Sequence, residues 1–95
     1  MSCSKYIVIL GAQESGVGAA LLAKQMGERV FVSDYAALQP HYERILQHYG
    51  IAYESGQHSW ERIKEADLVV KSPGIPNDAD LHKRLEAMGT PVVSE

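Results

Sequence analysis

Residues 7–18 read Ile-Val-Ile-Leu-Gly-Ala-Gln-Glu-Ser-Gly-Val-Gly, and this stretch admits few folds. Its first third is a continuous apolar, largely β-branched run, the composition of a central parallel strand covered on both faces. The glycines permit a tight turn, and Val17, Ala20, Leu21 and Ala23 then give a helix an apolar side through about Met26. A buried strand, a glycine turn and a helix N-terminus in this order form a place where phosphate groups are held in α/β proteins. The rest of the chain either supports that use or leaves the glycines as a plain turn.

The pattern repeats. Val30, Phe31, Val32 and Ser33 make a second strand with Asp34 at its carboxyl end. Pro40 suits the first turn of the next helix, whose Tyr42, Ile45, Leu46 and Tyr49 fall on one face. Residues 51–54 form a short third strand at the sheet edge, and Ser59 is placed to cap a short helix through Ala66. Residues 68–70 form a fourth strand, followed by the turn Ser72-Pro73-Gly74-Ile75-Pro76. Asn77 caps a helix with Leu81, Leu85 and Met88 as its buried stripe, and residues 91–94 make a fifth strand. Gly27, Gly50 and Gly89 stand where helices end. With short connections and right-handed crossovers, this order predicts an α/β fold. The expected architecture is a Rossmann-like, doubly wound, five-stranded parallel sheet of order 3-2-1-4-5 with about four helices.

Ninety-five residues are enough for one core. The formal charge of −3 argues against a nucleic-acid binder but leaves an anionic ligand possible, since helix N-termini attract anions locally. No apolar run approaches the ~20 residues of a membrane span, and the N-terminus lacks a signal-peptide pattern, so a cytoplasmic protein is expected. Cys3 is the single cysteine and has no disulfide or zinc partner in the sequence. The last strand stops at Glu95 with no closing helix, so residues 1–95 are expected to be a single nucleotide-binding domain of a longer chain.

Three phosphate-loop readings compete for the glycine turn. A dinucleotide fingerprint needs a second glycine where Gln13 stands, which counts against simple NAD binding. A P-loop would match Gly11 and Gly16 but then requires lysine and a hydroxyl where Val17 and Gly18 stand. The third reading is a diphosphate of another nucleotide, held by backbone N–H groups and the Ser15 hydroxyl. The order 3-2-1-4-5 supports it, because strands 1 and 4 flank a switch point beyond whose carboxyl ends ligands bind. The turn at 11–16 meets the turn at 72–76 there, with Ser72 and Gly74 in the second loop. Asp34, on the same edge, can accept hydrogen bonds from a ribose or a base N–H. The plain alternatives are a tight strand-to-helix turn for the glycines, a loop-capping role for Asp34 and a simple turn at 72–76. If the ligand reading holds, Asp34→Ala weakens nucleotide binding without unfolding the chain.

Other residues carry less. His41, His48, His58 and His82 show no metal spacing. Trp60 suits core packing, Lys71 a solvated strand end, and Glu14 must face away from any bound phosphate.

With these residues in place, the chain resembles the N-terminal domain of a Mur ligase. The matching pieces are Ile9-Leu10-Gly11 through Ser15-Gly16, Val32-Ser33-Asp34, Lys71-Ser72-Pro73-Gly74-Ile75-Pro76, and the closing Gly89-Thr90-Pro91-Val92-Val93-Ser94-Glu95. The resemblance covers essentially the whole chain but only the first of the family's three domains. It implies a domain that holds the UDP part of UDP-N-acetylmuramoyl-L-alanine, with central and C-terminal domains of the same ligase binding ATP, Mg2+ and D-glutamate. It puts Ser15 and Gly16 at the diphosphate, Asp34 and Tyr35 at the uracil, and Gly74 against the uracil face. Gln13 and Glu14 replace small or apolar residues common in that turn, and Ala36 stands where some members have a basic residue. The domain contains no catalytic residue or cofactor of its own, so it is expected to bind and not catalyse. A different class of function, a stand-alone Rossmann regulatory module for NAD or a similar nucleotide, is the alternative.

Overall fold

The computed structural model describes residues 5–72 and 79–94. Its elements are β1 (Tyr6–Leu10), α1 (Glu14–Gln25), β2 (Arg29–Asp34), α2 (Pro40–His48), β3 (Ala52–Ser55), α3 (Trp60–Ile63), β4 (Leu68–Lys71), α4 (Ala79–Met88) and β5 (Val92–Ser94). The five strands form one sheet in the order β3-β2-β1-β4-β5, with every neighbouring pair parallel. Both fold class and strand order are as the sequence pattern requires.

Side chains alternate between two cores because a strand repeats every two residues. Ile7 and Ile9 of β1 and Val30 and Val32 of β2 enter a cluster with Val17, Ala20 and Ala23 of α1 and Leu46 of α2. Val8, Leu10, Phe31 and Val69 face the other way and pack with Ile63 and Leu85 of α3 and α4. β1 is central, and its residues from Ile7 to Leu10 are all buried.

The expected apolar stripes fail at two positions. Tyr49 and Met88 are 49% and 46% exposed. Each immediately precedes a closing glycine, as exposed Met26 does in α1. In all three helices the glycine N–H returns to the carbonyl three residues back and the next N–H to the one five back. This is the Schellman arrangement, which an apolar residue after the glycine often accompanies; here Glu28 and Thr90 follow two of the glycines, and only α2 has an apolar one. After α2 that residue is Ile51, which shares the buried cluster with Leu46, so Tyr49 is not the helix's last core residue. Ser59 also departs from expectation. It sits at the N-cap position of α3 but makes no side-chain capping bond; its hydroxyl goes elsewhere. The α3 helix is shorter than expected, ending at Ile63. Asn77 and Cys3 lie outside the described residues.

Candidate functional site

The carboxyl edge of the sheet is shaped by backbone before side chains. Gly11 follows β1, and its N–H still pairs with the Ser33 carbonyl at 2.8 Å. Its φ of 116° then turns the chain out of the strand, a conformation strained for any residue with a Cβ. Gly16, in the first turn of α1, is buried against this bend. A Cβ built on it lies 1.8 Å from the Gly11 carbonyl oxygen. One glycine is required by its dihedral angle and the other by close approach. Together they bring the start of α1 onto the end of β1.

The α1 helix begins without a side-chain cap. Gln13 holds the N-cap position in extended conformation and makes no capping bond. Val17 N–H donates to the Gln13 carbonyl at 2.9 Å. The N–H groups of Glu14, Ser15 and Gly16 precede that bond and belong to the helix's unsatisfied first turn. Ser15 is exposed beside them, as is Glu14. Such a terminus concentrates partial positive charge where backbone donors have no helical acceptor.

Asp34 fixes this opening. The residue is 8% exposed. One carboxylate oxygen accepts the Ala12 N–H at 2.8 Å and the other accepts the Ala36 N–H at 2.9 Å. The carboxylate thus ties the glycine turn to the loop after β2, so the loop-capping role weighed against the ligand role is present in the structure. Ser72 is buried at the end of β4, where its N–H donates to the Leu10 carbonyl at 2.9 Å. Ser15, Gly16, Asp34 and Ser72 are therefore brought to one edge. Tyr35 follows Asp34 and is 56% exposed. Gly74 and the prolines on either side of its turn lie outside the described residues.

Sequence reasoning missed a second polar group on this edge. Ser33 is fully buried. Its hydroxyl lies 2.8 Å from a Glu54 carboxylate oxygen, 3.2 Å from the Gln57 carbonyl and 2.6 Å from Nδ1 of His58. Glu54 also accepts the Ser59 N–H at 2.6 Å and the Ser59 hydroxyl. Ser33 has one hydrogen to give, and the carboxylate is the stronger acceptor, so His58 Nδ1 is assigned as donor to the Ser33 oxygen. Burial pushes the Glu54 carboxyl upward, but the Ser59 hydroxyl and N–H, the Ser33 hydroxyl and the Arg62 charge outweigh it and hold the carboxyl below its ordinary value. The His58 ring meets Tyr35 edge-on, with centroids 4.2 Å apart. The available signal was Ser33 itself, a hydroxyl ending an apolar strand and therefore in need of a partner.

Among the described residues, no three His, Cys, Asp or Glu side chains gather as a metal-ligand set, and no helix is long and apolar enough to cross a membrane.

Sheet order and edge define a Rossmann-like α/β domain whose first helix presents an uncapped N-terminus at the topological switch point. Residues 6–81 match the family described as the MurD N-terminal domain, and the chain belongs to that family. It is 57% identical over 91 residues to the UDP-N-acetylmuramoylalanine–D-glutamate ligase of Bacteroides fragilis, covering 96% of this chain and 20% of that protein. The chain thus spans about a fifth of that relative's length. Two solved structures share the fold. One is the UDP-N-acetylmuramate:L-alanyl-gamma-D-glutamyl-meso-diaminopimelate ligase from Neisseria meningitides, with TM-score 0.79 and 26% identity over 97% of this chain and 29% of that one. The other is a type C pseudomurein peptide ligase from Methanothermus fervidus, with TM-score 0.81 and 25% identity over 96% of this chain and 19% of that one.

Proposed function

We propose that this chain holds the uridine diphosphate part of UDP-N-acetylmuramoyl-L-alanine, as the N-terminal domain of the ATP-dependent ligase that adds D-glutamate in peptidoglycan synthesis. The observation that carries the reading is the uncapped start of α1 at the switch point, in a chain of the MurD N-terminal family. The N–H groups of Ser15 and Gly16 and the Ser15 hydroxyl grip the diphosphate. Each bond to a charged acceptor contributes about 1.5–3 kcal/mol. The base lies toward Asp34 and Tyr35, with Ser72 closing the site from the end of β4; Gly74 is proposed as a further contact on the family resemblance alone.

The chain supplies no step of the ligation. Val17 and Gly18 stand where a γ-phosphate lysine and a magnesium-binding hydroxyl would be needed, so its residues do not fit ATP with Mg2+. On this proposal those groups, D-glutamate and acyl-phosphate formation belong to the central and C-terminal domains of the same cytoplasmic enzyme. The isolated 95-residue chain binds and does not catalyse.

The test is a titration of the chain with UDP and, separately, NAD, followed by amide chemical shifts. Shifts confined to residues 11–16, 34–36 and the end of β4 with UDP are expected. Preference for NAD, or no response at residues 11–16 in millimolar UDP, overturns the proposal; the former favours a regulatory dinucleotide-binding module.

A further inference from the structure

We infer that His58 is a positioning residue for the nucleotide base, acting through Tyr35; this rests on the uridine-binding reading above. An exposed tyrosine ring must be ordered before it can serve as a stacking surface, and ordering its two torsions costs entropy at the moment of binding. Here the order is built in. Tyr35 is 56% exposed, yet the edge-on His58 ring lies 4.2 Å away, centroid to centroid, at 65° between planes. The His58 ring is itself held, because Nδ1 is 2.6 Å from the hydroxyl of fully buried Ser33. Glu54 completes the ring of contacts by accepting from Ser33 and from Ser59, the residue after His58. The loop after β3 is therefore fastened to the end of β2 just where β2 hands over to Tyr35. Asp34, held through both oxygens, anchors the other side of the same residue. His58 thus presets the face that Tyr35 offers to a pyrimidine base without touching the base itself.

A double-mutant cycle on UDP affinity tests this. His58→Ala is expected to weaken UDP binding by about 3- to 10-fold, the span an aromatic pair conveys, with the Tyr35 ring resonances shifted in the free chain. His58→Gln keeps a donor for Ser33 but no ring, and it is expected to show the same loss even if the alanine variant folds poorly. In a Tyr35→Ala background, neither change weakens binding further. Undiminished affinity in His58→Gln overturns the inference and leaves the UDP site standing. So does an additive loss in the Tyr35→Ala background, which means that His58 meets the nucleotide directly or acts on it by another route. A wild-type chain that does not bind UDP overturns both readings together.

Discussion

Ser33 and Asp34 are neighbours at the end of β2, yet they organise opposite faces of the sheet. Strand alternation puts Asp34 on the face of Val32 and α1, and Ser33 on the face of Phe31 and α3. On the first face, the carboxylate is committed to two loop N–H groups, and the helix N-terminus beyond it keeps backbone donors without a cap. On the second, the polar side chains satisfy one another: Ser33 with Glu54 and His58, Glu54 with Ser59. One side leaves donors over for a ligand, and the other is closed and can only stiffen what it touches. An edge that binds a ligand as proposed needs both, since surplus donors on a mobile loop would pay for their own ordering when a ligand arrives.

The comparison breaks most severely at Gly16. Gly16→Ala places a Cβ against backbone at 1.8 Å, which no flexible side chain can relieve. We expect a stability loss of at least ~4 kcal/mol in urea unfolding, together with loss of UDP binding. A near-neutral Gly16→Ala would show that α1 can slide off the glycine bend. Next is Asp34→Ala, which leaves two N–H groups without their charged acceptor and is expected to cost about 2–4 kcal/mol by the same measurement. The sequence-based expectation is that the variant weakens uridine binding without unfolding; the two hydrogen bonds to loop N–H groups add a stability cost to it. Asp34→Asn, retaining one acceptor oxygen, recovers part of the stability. Full stability in Asp34→Ala would contradict the bridging role.

The smallest effect is on the closed side. Glu54→Gln is expected to cost about 1–2 kcal/mol near neutral pH. The sign of its pH dependence follows from the lowered carboxyl: the folded state prefers the carboxylate. Its stabilisation is complete above the ordinary value of 4.5 and is lost as pH falls through the lower folded value. The gap between wild type and Glu54→Gln in thermal midpoint should therefore close on acidification below pH 4.5. A gap that stays constant to low pH would mean that the carboxylate charge is not what holds Ser33 and Ser59.

Much of this was legible along the chain. The run through Leu10, the bend at Gly11 and the spacing to Asp34 depend on local preference and period, which a sequence displays directly. The exposed ends of the helical stripes were not legible, because periodicity says which side a residue is on but not where the helix stops touching the sheet. At Tyr49 that limit is set by Ile51 returning to the core. The partners of Ser33 were equally hidden: Glu54 lies 21 residues away and His58 25. Only the parallel pairing of β2 with β3, which sets Ser33 opposite Glu54, brings them within reach.

By itself the sequence determined the α/β order, the strand that is buried on both sides and the glycine turn that follows it, since each follows from composition and spacing over a few residues. Tertiary structure alone decided that Gly16 must lack a Cβ, that Asp34 binds two loops together and that His58 faces Tyr35. Those facts depend on segments that meet only once the sheet has assembled, and contact across such separations leaves no period in the chain.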